Sequence, residues 1–216
     1  MAIAASSANE GMGMTRHLSR KEFFRELLGV GRRTVPRSTP PPARPRLLLR
    51  PPGALLPDQR YLEACTGCNA CVEVCPKGAI HLAPSPTDPQ RRIAVLEVGR
   101  TPCVLCDAVP CATACPAGAL LHPGSPRQIR LGVAQVDPRL CRTFRGEGCD
   151  VCVRVCPYPG EAIRMIGHRP VVMPAACTGC GLCEAACPER PAAIVVYPER
   201  DLIPGMRIPK TWGPAG

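Results

Sequence analysis

The sequence predicts an α+β fold of tandem modules, in which short β-hairpins and short helices alternate with cysteine-rich loops. Three observations predict it. Sixteen cysteines fall into four groups, each closing on a Cys-Pro pair. A short aliphatic run follows every group, of a length suited to strands rather than long helices. The 216-residue chain also has only 3% aromatic residues, with one Trp, three Tyr and three Phe, against 28 Pro and 20 Gly. So few large apolar side chains cannot build a generous conventional core, and small domains bury proportionally less surface. Metal–thiolate bonds are the expected substitute, because binding at a site absent from the unfolded chain adds directly to folding free energy.

Residues 1–57 read as a basic, proline-rich tail containing one short helix. Ser19 precedes Arg20 to Leu28, with Glu22 three residues on, a capping-box pattern. Residues 36–57 carry eight prolines and read as an extended linker. The run Ser19-Arg20-Lys21-Glu22-Phe23-Phe24 resembles a twin-arginine export signal with Lys replacing one Arg. An export signal needs an apolar stretch after its basic region, whereas here Arg25, Glu26, Gly29, Gly31, Arg32 and Arg33 follow. The expected placement is therefore cytoplasmic, with any membrane association made through partners; periplasmic placement by an atypical twin-arginine signal is the alternative. No run approaches the length of a transmembrane segment.

Residues 58–200 form the expected cysteine domain, a fourfold internal repeat, and 201–216 a C-terminal tail. The aliphatic runs after the groups are Ala79 to Leu82, Ala119 to Leu121, Ala162 to Ile166 and Ile194 to Tyr197. Further runs, Ile93 to Leu96, Ile129 to Val133 and Val171 to Met173, precede later groups. Together they read as short hairpins between cysteine loops and one-to-two-turn helices.

The first group is Cys65-x2-Cys68-x2-Cys71-x3-Cys75-Pro76 and the fourth is Cys177-x2-Cys180-x2-Cys183-x3-Cys187-Pro188. Cysteines two residues apart in triplets suit separate disulfide bridges poorly. Paired CxxC units also make zinc sites, but four consecutive groups ending in x3-Cys-Pro, two of them with the full 2-2-3 spacing, match the bacterial ferredoxin run. The reading is four [4Fe–4S] clusters. Three closely spaced thiolates wrap one cubane, and the fourth cysteine is expected to begin a helix pointing away, with the proline ending the loop's hydrogen bonding. Gly67, Gly179 and Gly181 suit close backbone approach to sulfide.

The second group, Cys103-x2-Cys106-x4-Cys111-x3-Cys115-Pro116, and the third, Cys141-x7-Cys149-x2-Cys152-x3-Cys156-Pro157, depart from the regular spacing. In two-cluster ferredoxins the fourth cysteine of a run ligates the partner cluster. Two regular and two modified groups suggest nested pairing, first with fourth and second with third. The four ligand sets are then Cys65, Cys68, Cys71 and Cys187; Cys177, Cys180, Cys183 and Cys75; Cys103, Cys106, Cys111 and Cys156; Cys141, Cys149, Cys152 and Cys115. Sequential pairing, first with second and third with fourth, is the competing arrangement.

Charge separates along the chain. The formal net charge is +10, and residues 1–60 hold eleven Lys/Arg against four Asp/Glu. Residues 61–216 hold sixteen against thirteen, which becomes about −5 once four oxidised clusters with their thiolates are counted. The basic tail lacks the interleaved aromatics of a nucleic-acid binder, and no nucleic-acid partner is expected. His17, His81, His122 and His168 stand apart from the cysteine motifs and from one another. No nucleotide-binding, metalloprotease or hydrolase motif occurs, which points to an electron-transfer subunit rather than an enzyme. The inserted loops, Asp107 to Pro110 and Arg142 to Gly148, are either tolerated surface insertions or, around Phe144 and its arginines, part of a docking face.

The chain resembles the NapG/MauM group of ferredoxin-type proteins, linked to periplasmic nitrate reduction and methylamine utilisation. The residues that carry this are Arg50-Pro51-Pro52-Gly53-Ala54, Pro102 to Pro116, Gly132-Val133-Ala134 through Cys141, Cys149-Asp150-Val151-Cys152, and Ala176 to Gly181, so that about residues 50–200 are covered. The resemblance implies a ferredoxin-like fold similar to β subunits of the dimethyl-sulfoxide-reductase class, with nested cluster pairs. It also implies electron passage from a membrane quinol-oxidising partner toward a terminal reductase. The short arginine-containing start is closer to cytoplasmic NapF-like relatives, which implies the alternative of an accessory or assembly iron–sulfur protein for a molybdenum reductase.

Overall fold

The computed structural model describes residues 47–198. The helix expected over 20–28, His17 and residues 199–216 lie outside them. In chain order the elements are α1 (Asp58–Ala64), α2 (Ala70–Glu73), β1 (Ile80–Pro84), β2 (Arg92–Leu96), α3 (Pro110–Thr113), β3 (Val133–Val136), α4 (Val151–Arg154), β4 (Ile163–Ile166), β5 (Arg169–Val172), α5 (Leu182–Ala186) and β6 (Ile194–Tyr197). Single 3-10 turns lie at Pro126–Gln128 and Arg142–Arg145.

These elements make two similar halves. Each holds an inner antiparallel hairpin, β1 with β2 and β4 with β5. The second hairpin turns through Gly167 and His168, both with positive φ of 54° and 64°, the geometry that matches strand twist in a two-residue turn. Each half is also closed by pairing its first segment with its last. In the second half β3 pairs with β6, Val133 opposite Tyr197 through Val136 opposite Ile194. In the first half Ala54 bridges Leu120, with Leu55 N–H donating to Ala119 O at 3.1 Å and Leu121 N–H to Gly53 O at 2.8 Å. The run Ala119 to Leu121 therefore supplies a closing bridge rather than a full strand. Ile129 and Leu131 are core residues ahead of β3 and not part of it.

Residues 47–57, read from the sequence as part of a linker, belong to the fold. Leu49 is 1% exposed and exchanges two main-chain hydrogen bonds of 2.8 Å with Leu96. Arg50 pairs with Asp58 at 2.7 Å, both side chains almost fully buried. The prolines at 51, 52 and 57 fix the chain direction between these anchors but do not keep it off the core. The domain thus starts at or before residue 47, not at 58.

The core is built from aliphatic side chains and cysteines. Leu49, Leu62, Ile93, Leu96, Ile129 and Val98 are at most 2% exposed, and buried cysteines are continuous with them. Tyr61 is the one aromatic among the most deeply buried side chains, its hydroxyl donating to Ala94 O. Among the described residues no helix is long and apolar enough to cross a membrane.

Candidate metal centres

All four cysteine groups use one local design. A turn brings the third cysteine to the second position of a four- or five-residue helix: Cys71 in α2, Cys111 in α3, Cys152 in α4 and Cys183 in α5. In three groups the residue before the helix is left-handed: Asn69 at φ 72°, Val109 at φ 40° and Gly181 at φ 82°. The fourth cysteine ends the helix rather than beginning one, its N–H donating to the carbonyl three residues back at 3.2–3.3 Å for Cys75, Cys115, Cys156 and Cys187. The following proline disfavours helical backbone at that cysteine and has no N–H to extend the turn. The side chain is thereby turned toward a neighbouring group.

That neighbour is the other group of the same half. Four cavities with open space of about 340–400 Å³ are each lined by four cysteines. Site 1 brings together Cys65, Cys68, Cys71 and Cys115. Site 2 gathers Cys75, Cys103, Cys106 and Cys111. Site 3 holds Cys156, Cys177, Cys180 and Cys183, and site 4 holds Cys141, Cys149, Cys152 and Cys187. The nested sets expected from the sequence are not formed: Cys187 lies with the third group rather than the first, Cys75 with the second rather than the fourth, Cys156 with the fourth rather than the second, and Cys115 with the first rather than the third. Closure of each half on itself, through the Ala54–Leu120 bridge and the β3–β6 pair, decides the pairing. The odd gap lengths do not.

The donor geometry separates iron–sulfur from zinc. A zinc ion about 2.3 Å from each of four sulfurs would draw them to within about 4 Å of one another. Among the described residues no three Cys, His, Asp or Glu side chains converge closely enough to hold a single ion. Four thiolates spread around a cavity are what a cubane needs, one for each iron. None of His81, His122 and His168 lines any of the four cavities.

Burial makes bare thiolates costly here, so the metal must hold them ionised. Burial pushes the Cys71 thiol up to about 11, with neighbouring Cys65, Cys115 and Cys68 adding to it. Burial likewise takes Cys111 up to about 12, helped by Cys103, Cys75 and Cys71. Cys152 reaches about 12 through burial and then Cys141, Cys149 and Cys187. These influences also reveal how the sites adjoin. Cys103 of site 2, pushed up to about 11 chiefly by burial, feels Cys180 of site 3, and its N–H donates to Cys180 O at 2.8 Å. Cys183 of site 3, also raised chiefly by burial, feels Cys152 of site 4. Helix α2 of site 1 also packs against α3 of site 2, and α5 of site 3 against α4 of site 4, so with the Cys103–Cys180 hydrogen bond between them the sites follow one another in the order 1, 2, 3, 4.

Hydrogen bonds to sulfur tune cluster potentials, and three of them come from residues the cysteine spacing does not single out. Ala79 N–H donates to Cys75 Sγ at 3.3 Å and Ala193 N–H to Cys187 Sγ at 3.2 Å. The Thr143 hydroxyl lies 3.2 Å from Cys141 Sγ and is placed to donate to the thiolate. Sequence reading missed Thr143; its position two residues after a cysteine, inside the enlarged gap, was the available signal. Of the three glycines expected to make room for sulfide, Gly67 and Gly179 also make room for backbone. A Cβ on Gly179 would sit 2.4 Å from Gly132 N, and one on Gly67 2.5 Å from Arg92 O.

The enlarged third-group loop folds as a 3-10 turn over site 4. Arg142 pairs with Glu189, Arg145 with Glu147 at 3.1 Å and Glu189 at 3.5 Å, and the Arg169 guanidinium lies 4.8 Å from the Phe144 ring centroid. In the second group the four-residue gap instead tucks Val109 into the core, 1% exposed.

Comparison with known proteins agrees with this architecture half by half. Residues 64–119 and 133–188 each match a family model described as a 4Fe–4S dicluster domain. Two such domains account for four clusters. The chain is 44% identical over 164 residues to the methylamine utilization ferredoxin-type protein MauM of Paracoccus denitrificans, covering 71% of this chain and 72% of that protein. It is 35% identical over 207 residues to the ferredoxin-type protein NapG of Haemophilus influenzae, covering 87% and 74%. NapG of Escherichia coli is 37% identical over 163 residues, covering 69% and 70%. With its two 4Fe–4S dicluster domains in tandem, the chain belongs to the family of MauM- and NapG-type ferredoxin-type proteins.

Proposed function

We propose that the chain passes single electrons between two redox partners along sites 1, 2, 3 and 4. The observation that carries this reading is the contact between Cys103 of site 2 and Cys180 of site 3, which turns two separate pairs into one continuous line. A [4Fe–4S] cluster takes up and gives back one electron with little change in shape. The protein's part is to hold the clusters in sequence, exclude water from the inner pair and set each potential through burial and hydrogen bonds to sulfur. Cys111 of site 2 and Cys177 and Cys180 of site 3 are at most 9% exposed, consistent with that insulation. The resemblance to NapG and MauM favours a quinol-linked donor at one end and a terminal reductase at the other.

Anaerobic redox titration followed by electron paramagnetic resonance tests the reading. The loaded chain should show four one-electron [4Fe–4S] reductions, and the signals should broaden by mutual coupling as neighbours become reduced. Signals that stay uncoupled at full reduction, or an absence of reducible clusters, would refute it.

A further inference from the structure

The Cys-Thr-Gly-Cys sequence occurs twice, at Cys65–Cys68 and Cys177–Cys180, and the two loops share a backbone conformation. Gly67 and Gly179 have φ of 69° and 71°, and Asn69 and Gly181, two residues on, have φ of 72° and 82°. Their surroundings differ. In the loop at 177–181, Leu131 N–H donates to Thr178 O at 2.9 Å and Cys103 N–H to Cys180 O at 2.8 Å. Val98 lies so close over Gly181 that a Cβ there would sit 2.4 Å from the valine Cβ. Two separate stretches of main chain, at 98–103 and 129–132, thus cover this loop, leaving Thr178 3% and Cys180 8% exposed.

Among the described residues the loop at 65–71 is covered on one side only, by the Arg92 carbonyl close to Gly67 and by the Arg91 guanidinium donating to Cys65 O at 2.8 Å. Thr66 and Cys68 are exposed, and Cys68 is the only exposed cysteine of the sixteen. Neither Thr66 O nor Cys68 O accepts a main-chain hydrogen bond among the described residues. The loop carries no charged side chain besides its cysteines, and Leu121, next to the cavity-lining Leu120, is 58% exposed beside it. The opposite end of the line differs again, since its 3-10 turn is pinned over site 4 by Arg142 and Arg145.

We propose that the loop Cys65–Cys71 is the docking surface for a redox partner protein, which covers it with an extended segment donating amide hydrogens to Thr66 O and Cys68 O. The proposal rests on the electron-relay reading. It repeats outside the chain the contact that joins sites 2 and 3 within it: main-chain donors on loop carbonyls, an apolar side chain over the turn, and two redox centres brought close. Recognition through an added extended segment needs few charges on the receiving surface, and the loop offers none. A second copy of this chain is a poor occupant, because its own segments at 98–103 and 129–132 are already committed to its own 177–181 loop.

The test places the photo-crosslinking residue benzoylphenylalanine at Thr66 in the full chain, expressed in its native host, with Ile166 on the remote hairpin as control. Ile166 is 49% exposed and comparably accessible. After illumination, crosslinked species are purified, identified by mass spectrometry and mapped to the attached segment. The expected result is a crosslink from position 66, at least fivefold above position 166, to an extended segment of a protein carrying a metal or flavin centre. Attachment to a second copy of this chain, attachment to a protein with no redox centre, or equal yields at the two positions would overturn the proposal. Leu121 carries the probe in a second variant should the first lose its iron. Electron paramagnetic resonance separates the two ideas: reducible, coupled clusters in a variant that gives no crosslink reject the dock and leave the relay standing, whereas uncoupled or absent clusters in the unsubstituted chain reject the relay itself.

Discussion

Removing Cys141 and Cys149 together to alanine takes two of four thiolates from site 4 and should abolish that cluster. Both residues come from one group, so this background does not depend on how groups pair. Iron should fall by about four per chain, a quarter of the total for four cubanes. A third substitution then reads out the partner. Cys187 lines the same cavity as Cys141 and Cys149, so adding Cys187→Ala to that background should remove no further iron. Cys115 lines the cavity of Cys65, Cys68 and Cys71, so adding Cys115→Ala should cost site 1 at least about one iron, as a three-thiolate cubane sheds its unligated corner, and up to about four. Nested ligation would invert both results, because Cys115 would then already belong to the lost cluster. The assay is iron and acid-labile sulfide per chain after anaerobic purification, with electron paramagnetic resonance to detect three-iron products. Further loss with Cys187→Ala and none with Cys115→Ala would refute the pairing argued from the strand closures.

Other expectations follow from single contacts. Thr143→Val deletes the hydroxyl 3.2 Å from Cys141 Sγ; at about 1 kcal/mol for such a bond, one midpoint potential should fall by about 40 mV while the other three hold, read by redox titration. Arg50→Ala leaves the Asp58 carboxylate buried without its cation and should destabilise the fold by about 3–5 kcal/mol, shortening the thermal half-life of the loaded chain; replacing both residues by apolar ones should restore most of it. Gly179→Ala forces a left-handed alanine, at about 1–2 kcal/mol, and adds a Cβ 2.4 Å from Gly132 N. Gly146→Ala carries the same backbone cost at φ 83° with open space around it, so Gly179→Ala should lower iron retention on heating far more than Gly146→Ala.

The parts of this molecule that were legible in the sequence are the local ones. Cysteine spacing picks out the sixteen residues that line the four cavities, and the aliphatic runs at 79–82, 93–96, 162–166 and 194–197 mark strands, because a cysteine loop and a hairpin are each specified over a short stretch of sequence. Pairing between groups is a long-range property, fixed by Ala54 meeting Leu120 and by β3 meeting β6, and gap lengths carry no information about it. The first of those segments was hidden by its prolines. A comparison of Gly53-Ala54-Leu55 with Gly132-Val133-Ala134, the runs ahead of the first and third groups, contains the signal that both open a half. Thr143 was invisible for a different reason: a hydroxyl's value depends on where it points, and only the 3-10 turn over site 4 aims it at sulfur.

Self-closure of the halves also bears on how the protein is made. Every cysteine of sites 1 and 2 lies between residues 65 and 115, and the segment that closes this half ends at Leu121. A chain emerging from the ribosome therefore presents a complete ligand set for its first two clusters before any residue of the second half is synthesised. Ligation across the halves would have left unpaired thiols waiting until residue 187. The ligand sets of sites 3 and 4 are completed last, and folding of the 177–181 loop onto Cys103 and Leu131 joins the second pair to the first. The closure of each half thus leaves the two rounds of ligand assembly independent of one another along the chain.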